Sequence, residues 1–493
     1  MRHKPEALDY EGVFPARVSR PRETQPAEQE IVFNRPAVEL PANAAPAAAA
    51  PARGEKKPKP PFMELEAGMW QAGRGHGLTF ICLFIFSIVL FFRPYELIPA
   101  LSSFKTMAFW VGIVTLLVFL VSQITLEGNL TARPREVNMV LLVGLAALLS
   151  IPLAVDPSEA WDEFNKIVIK TVLIFVVLVN VVRTEKRLKL LFWLVFAVSI
   201  YLSVNLIRDY QAGVFKIGLA ETNTQRVAGS IKGLFDNSND LALHLVTIIP
   251  IAFVMAFENK NPFRKIIFFG LSLLMIAAVI ITFSRGGFLG LIAMTLVLVR
   301  KLARRNKSAA FASLALGVIF FLAVAPGAYS GRLATIFDSA SDITGSSSQR
   351  TQVLKRSILV AIRYPIFGVG VGNFHHKSFQ ELGTHNAYTQ VAAETGIAAM
   401  VCYIIFLVHP LRKLRMIERE MFERNENSRF YYLAIGLQAS LVGYMVSSFF
   451  AAVAYQWYVY YLVGYAIALR RIYYLEQESK KVSAAIPARS IPV

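Results

Sequence analysis

The sequence predicts an all-α polytopic membrane protein with about twelve transmembrane helices and a large extracytoplasmic loop between the ninth and tenth. Three observations carry this. The 493-residue chain is 55% hydrophobic and only 17% charged, whereas a soluble domain carries about 25% charged residues. Apolar runs of about 18 residues or more recur along most of its length, each long enough to cross a bilayer as a helix. Much of the net charge of +18 lies in short segments between those runs. That is the pattern that orients a membrane protein, not one that binds nucleic acid. Cys82 and Cys402 both fall inside apolar runs, so they suggest neither a disulfide framework nor a metal site. No Cys/His cluster has zinc spacing, and no cofactor is implied.

Taken in order, residues 1–77 come first. Their run PANAAPAAAAPARGEKKPKPP has no periodicity and too little bulk for a core, so they read as a disordered basic tail. No apolar core follows the start, which argues against a signal peptide. Eleven Lys/Arg place the tail in the cytoplasm. Among them, Lys56, Lys57 and Lys59 form a charge run that is either solvated or in contact with anionic lipid.

Residues 78–471 form the transmembrane domain. The first spans are Leu78–Phe92 and Thr106–Ile124, after which Arg133 and Arg135 mark the cytoplasm. Val137–Val155 is third, and the outer segment DPSEAWDEFN follows it. Ile167–Val182 is fourth, with Arg183, Lys186, Arg187 and Lys189 inside. Leu190–Ile207 is fifth, and a longer outer segment runs from Arg208 to Asp240. The sixth span, Leu241–Phe257, leads to Lys260, Arg264 and Lys265 inside. Ile266–Val299 holds the seventh and eighth, and Ala309–Pro326 is the ninth. Residues 327–386 form the large outer loop. Ala387–Val408, Phe430–Phe450 and Val453–Leu469 complete the count, Arg470 and Arg471 close the cytoplasmic side, and 472–493 is a cytoplasmic tail. With this count nearly every basic cluster falls inside and both long loops fall outside. One miscounted span would scatter the clusters over both faces.

Polar residues interrupt this pattern in few places. Ile266–Val299 holds a single charge, Arg285, in ITFSRGGFLG. One helix of that length would be about 50 Å long, against a hydrocarbon core of about 30 Å. The run is therefore two helices with a turn expected at Arg285-Gly286-Gly287. The arginine either snorkels to anchor that turn or serves an anion site in an outward-facing cavity. Arg226 and Lys232 are cations on the same side, and Asn239 and Asp240 read as caps of the sixth span. Asn386, Gln390 and Glu394, spaced by four, form one helical stripe, which must face the protein interior or water. His385 precedes them at the helix N-terminus, where the dipole disfavours imidazolium. A neutral imidazole there can act as a general base; the plainer reading is a histidine that caps the helix. His375 and His376 read as loop residues, and His244 and His409 as packing residues. Gly368, Gly370 and Gly372 lack the βαβ context of a nucleotide loop; a flexible turn before Asn373-Phe374 accounts for them.

These stretches resemble the O-antigen ligase and O-antigen polymerase superfamily of bacterial envelope enzymes. The likeness rests on RVAGSIKGLFDNSNDLA, on TFSRGGFLGL, and on PIFGVGVGNF followed by THNAYTQVAAETG, and covers roughly residues 140–470. It implies metal-independent, inverting transfer of a glycan from undecaprenyl pyrophosphate to an acceptor hydroxyl, on the outer face of the bacterial inner membrane. The acceptor is a lipid A core or another glycan, which makes the chain a ligase or an O-antigen or exopolysaccharide polymerase. The resemblance assigns His385 to the acceptor hydroxyl and Arg285 and Arg226 to the pyrophosphate. Arg350, in SSSQRTQ, matches a recurrent position before the glycine turn and is expected to order the loop; Asn386, Gln390 and Glu394 support the site. Protein O-glycosylation is one alternative. A solute transporter is the other, disfavoured because no internal repeat is evident and the charges cluster toward one face.

Overall fold

A computed structural model of the chain describes residues 75–104, 106–214, 235, 237–324, 346–426 and 428–485. The chain divides into two units: Met1–Lys59, which lies outside the described residues, and Pro60–Val493, which holds all of them. Arg226, Lys232 and nearly all of the basic tail also lie outside the described residues.

The helices fall in sequence order as the hydropathy requires. They begin with α1 (Gly77–Phe92), α2 (Met107–Glu127), α3 (Arg135–Ser150), α4 (Pro157–Val181) and α5 (Glu185–Gln211). Then come α6 (Ser238–Glu258), α7 (Pro262–Ile281), α8 (Arg285–Leu302) and α9 (Lys307–Val324). α10 (Ser346–Arg363) belongs to the expected outer loop, and α11 (Ala387–Thr395), α12 (Ile397–Glu423), α13 (Arg429–Ser447) and α14 (Trp457–Ala485) follow. The described residues contain no β-strand. Nine of these helices are long and apolar enough to cross a membrane. α8, α9, α10 and α14 have 18 residues or more but are not among these nine; α8 is less apolar because Arg285, Arg300 and Lys301 lie within its 18 residues. Of these nine, α6 is the most buried, with 83% of its apolar stretch inside, whereas α2, at 17%, faces outward; outside the nine, every residue of α14 from Tyr458 to Tyr474 is buried.

Contacts join the α2–α3, α4–α5, α8–α9 and α12–α13 connections at one end: Glu127 pairs with Arg183, Glu185 with Arg429, and Arg305 donates to the Glu426 carbonyl at 2.7 Å. That end is rich in ion pairs. Arg470 donates to both oxygens of Glu136 at 2.8 and 3.1 Å, and His409 Nδ1 lies 2.9 Å from the same carboxylate. Glu418 gathers Lys301, Arg304 and Gln438. Glu136 is 0% exposed and Arg470 1%. Charges so buried are tolerated only when paired, since removing one partner costs about 3–5 kcal/mol. The other end carries residues 364–396 and is called the site end below.

Three local expectations are corrected. First, the α7–α8 reversal is not made at Arg285-Gly286-Gly287. Thr282–Ser284 make it, with Phe283 at φ 51°. Ser284 caps α8, its Oγ accepting from the Gly287 amide at 3.1 Å. The glycines sit in the first turns of α8 and serve packing. A Cβ on Gly286 would lie 2.9 Å from Phe450 Cβ, one on Gly287 2.6 Å from Ala242 Cβ, and one on Gly290 3.0 Å from the Gly443 carbonyl oxygen. Only glycine lets α8 approach α6 and α13 this closely. Second, the tenth span is broken at Gly396, where φ is 97°. α11 has nine residues, too few to cross a bilayer, and the crossing helix α12 starts at Ile397. Third, most of DPSEAWDEFN is helical. Asp156 caps α4 by accepting from the Ser158 and Glu159 amides, Pro157 occupies the first turn, and a π-helical turn at Phe164–Val168 joins it to the rest of the span.

Candidate functional site

At the site end the N-termini of α6, α8 and α11 gather around the last turn of α13. Each link is a hydrogen bond or a packing contact. Asn237, not Asn239, caps α6, accepting from the Asn239 amide at 2.9 Å. Asn239 instead accepts from Ser284 Oγ at 2.8 Å, tying the start of α6 to the start of α8. Ser447 Oγ donates to the Gly286 carbonyl at 3.1 Å, and Phe450 packs on Gly286. From the other side, Asn386 Nδ2 donates to the Phe449 carbonyl at 3.1 Å, and the Tyr388 hydroxyl donates to the Met445 carbonyl at 2.8 Å. Helix N-termini carry unpaired amides and partial positive charge. Three of them beside one arginine make a place suited to an anion.

The residues singled out from the sequence occupy distinct positions. Arg285 is the first residue of α8 and is half-buried. His385 is exposed and directly precedes the cap of α11, with its backbone in the left-handed region at φ 47°. A non-glycine residue held there stores about 1–3 kcal/mol of strain, a feature concentrated at functional sites. Asn386 is the cap itself: its Oδ1 accepts from the Tyr388 and Thr389 amides at 2.9 and 3.0 Å. With Nδ2 on Phe449, its amide is given over to holding α11 in place. Gln390 Oε1 accepts from the Ala454 amide at 3.3 Å. The stripe of Asn386 and Gln390 thus faces the α13–α14 connection, inside the protein as the sequence requires. Glu394 is 5% exposed, and its Oε2 has no hydrogen-bond partner among the described residues. Arg350 lies on α10. That helix is tied to the loop through Gln349, which donates to Gln380 at 3.0 Å, and Arg356, which donates to the Lys377 carbonyl at 2.6 Å. The structure therefore brings His385 and Arg285 to one cluster, places Arg350 on a bracing helix, and leaves Arg226 outside the described residues.

The alternating glycines form a joint, not a slack turn. Gly368, Gly370 and Gly372 all have positive φ. The Val369 and Gly370 amides donate to the carbonyls of Ala393 and Glu394 at 2.9 and 3.0 Å. The Val155 amide donates to the Val369 carbonyl at 3.0 Å, and the Asp156 amide to Asn373 Oδ1 at 2.6 Å. The end of α11 is thereby fastened to the start of α4. Backbone can lie this close to backbone only where Cβ is missing.

Several contributors escape a reading of the sequence. Ser284 carries the signature of a cap, three residues before the amide it accepts from, and could have been found. Tyr388 and Phe449 act through partners 57 and 63 residues away, and no local pattern marks them; Asn239 is marked as a cap, but not its tie to Ser284, 45 residues away. A mainly apolar cavity of about 320 Å³ runs beside α8, walled by Phe253, Phe288, Leu291 and Phe321.

The fold and the site together define an all-α polytopic membrane protein with an anion-suited cluster of helix N-termini at one end. Residues 270–404, a little over a quarter of the chain, match the family model described as O-antigen ligase. Over that segment the chain is similar to O-antigen ligases, and the match supports glycan transfer of the O-antigen ligase type. It covers Arg285, Arg350, His385 and the whole of α11. A search of curated proteins finds no significant match.

Proposed function

We propose that the chain transfers a glycan from undecaprenyl pyrophosphate to an acceptor hydroxyl at the outer face of the bacterial inner membrane, as an O-antigen ligase or a polymerase of repeat units. The observation that supports this best is the gathering of His385, with its strained backbone, and Arg285 around one cluster of helix N-termini. Arg285, with Arg226, holds the pyrophosphate; a guanidinium stays charged and grips phosphate with a two-pronged fork. The isoprenoid tail lies along the apolar cavity beside α8. His385 removes the proton from the acceptor hydroxyl as its oxygen attacks the anomeric carbon. The bond from that carbon to the pyrophosphate oxygen breaks on the opposite face, so the configuration inverts. The helix N-termini and the arginines take up the charge that develops on the leaving group.

The test is a reconstitution. Purified protein in liposomes receives a lipid-pyrophosphate-linked repeat unit, and the products are read by mass spectrometry. A ladder of lengthening glycans with release of undecaprenyl pyrophosphate identifies a polymerase. Transfer only after addition of lipid A core identifies a ligase. Silence with both acceptors, or full activity in His385→Ala, overturns the reading.

A further inference from the structure

Glu159, His375 and His376 form a cluster that the proposed reaction does not use. Glu159 sits in the first turn of α4, and the two histidines on a short helical turn, Asn373–Lys377, just after the glycine joint. His376 Nε2 lies 2.8 Å from Glu159 Oε2, and His375 Nε2 lies 3.6 Å from Glu159 Oε1. The two imidazole centroids are 4.0 Å apart. One ligand atom from each residue lies within 4.8 Å of the other two. Ligand atoms around a tetrahedral Zn²⁺ at about 2.0–2.2 Å stand roughly 3.3–3.5 Å from one another. Small rotamer shifts would therefore close the three around one ion.

The second partner of His375 strengthens the case. Its Nδ1 lies 2.9 Å from the Gly372 carbonyl. A histidine that donates Nδ1–H to a carbonyl turns an unprotonated Nε2 the other way, which is how metal-bound imidazoles are oriented. Here Nε2 turns toward Glu159. A plain hydrogen bond between carboxylate and imidazole accounts for His376. It does not account for His375, whose Nε2 is beyond hydrogen-bond reach of the same carboxylate. The three side chains are 27–41% exposed, open enough for an ion to enter from solvent.

We propose that Glu159, His375 and His376 bind one first-row divalent cation, with Zn²⁺ the best fit. Two imidazoles and one carboxylate suit zinc and its neighbours rather than magnesium or calcium, which take oxygen ligands. The fourth position is left to water. The ion is a clip: it joins α4 to the loop whose backbone already meets it through Asp156–Asn373 and Val155–Val369. It takes no part in glycan transfer, and the inference does not depend on that reading.

The experiment uses full-length protein in detergent, freed of any affinity tag and stripped with a chelator, then titrated with Zn²⁺. Calorimetry is expected to find about one equivalent bound at roughly micromolar affinity or tighter, with a melting temperature that rises until that equivalent is bound. Co²⁺ in its place is expected to show the strong visible absorption of a four-coordinate ion. His376→Ala and Glu159→Gln, each checked for an unchanged elution volume and metal-free melting temperature, are expected to weaken binding by about 10-fold or more and abolish the thermal shift. No stoichiometric binding, or equal binding by the wild type and both variants, overturns the proposal. Neither readout measures transfer, so failure here leaves the proposed reaction untouched.

Discussion

Gly368→Ala tests whether the glycine joint positions α11. At Gly368 φ is 67°, and an added Cβ would lie 2.3 Å from the Glu394 carbonyl carbon, 2.5 Å from its oxygen and 2.6 Å from the Ala393 oxygen. All three are backbone atoms, so no rotamer change relieves the overlap. The left-handed conformation costs alanine about 1–2 kcal/mol, and overpacking typically adds about 1–3 kcal/mol. If the segments part instead, the bonds from Val369 and Gly370 to Ala393 and Glu394 are lost, at about 1 kcal/mol each. The expected destabilisation is thus about 2–5 kcal/mol, concentrated in residues 364–398. Hydrogen–deuterium exchange on detergent-purified protein reads it directly, as faster exchange there together with a lower melting temperature. Gly383→Ala is the control, because nothing lies within 4 Å of its added Cβ. Equal protection and equal melting temperatures in the two variants would refute the reasoning.

Three other perturbations separate binding, positioning and scaffold. Arg285→Lys replaces a planar fork with a point charge; transfer in liposomes is expected to fall about 10-fold or more with unchanged thermal stability, and full activity would reduce the arginine to an anchor. Asn386→Ala removes the acceptor of two amide bonds and the donor to Phe449. A loss of about 1–2 kcal/mol is expected in thermal unfolding, with reduced turnover because His385 loses the residue that sets its position. Glu136→Gln takes from the buried Arg470 the carboxylate it holds through two nitrogens. A cost of about 3–5 kcal/mol is expected, read as a lower melting temperature, whereas Arg419→Gln, at an exposed pair, is expected to change little.

The all-α polytopic class was legible because the cost of placing charge in hydrocarbon is written into the sequence residue by residue. Ile266–Val299, too long to cross the hydrocarbon once, demanded two helices, and two helices are found. What sequence leaves open is how those helices meet. Gly286 and Gly287 looked like turn residues because a glycine's lack of Cβ serves a reversal and a close helix contact equally well. Only the positions of Phe450 and Ala242 decide between them. Gly396 broke the tenth span for the same hidden reason: its neighbour is the Ile366 carbonyl, 2.1 Å from where a Cβ would stand. The stripe of Asn386, Gln390 and Glu394 was readable as inward-facing, but not the backbone groups it answers. The cluster of Glu159 with His376 spans 217 residues, and no spacing rule reaches that far.

The close contacts of α8 also determine where the domain can yield. Toward α6 and α13, the helix is seated almost backbone to backbone, and any sliding there means forcing main chains apart. Toward α9 it borders a void of about 320 Å³ whose walls are side chains. Stiffness is therefore polarised across a single helix. On the helical wheel its first residue, Arg285, lies away from those glycines and on the side nearer the void, whose side-chain walls can yield by rotamer changes. On the proposed reaction, an isoprenoid chain threading that void would press on the yielding side of the helix, the side that carries the arginine.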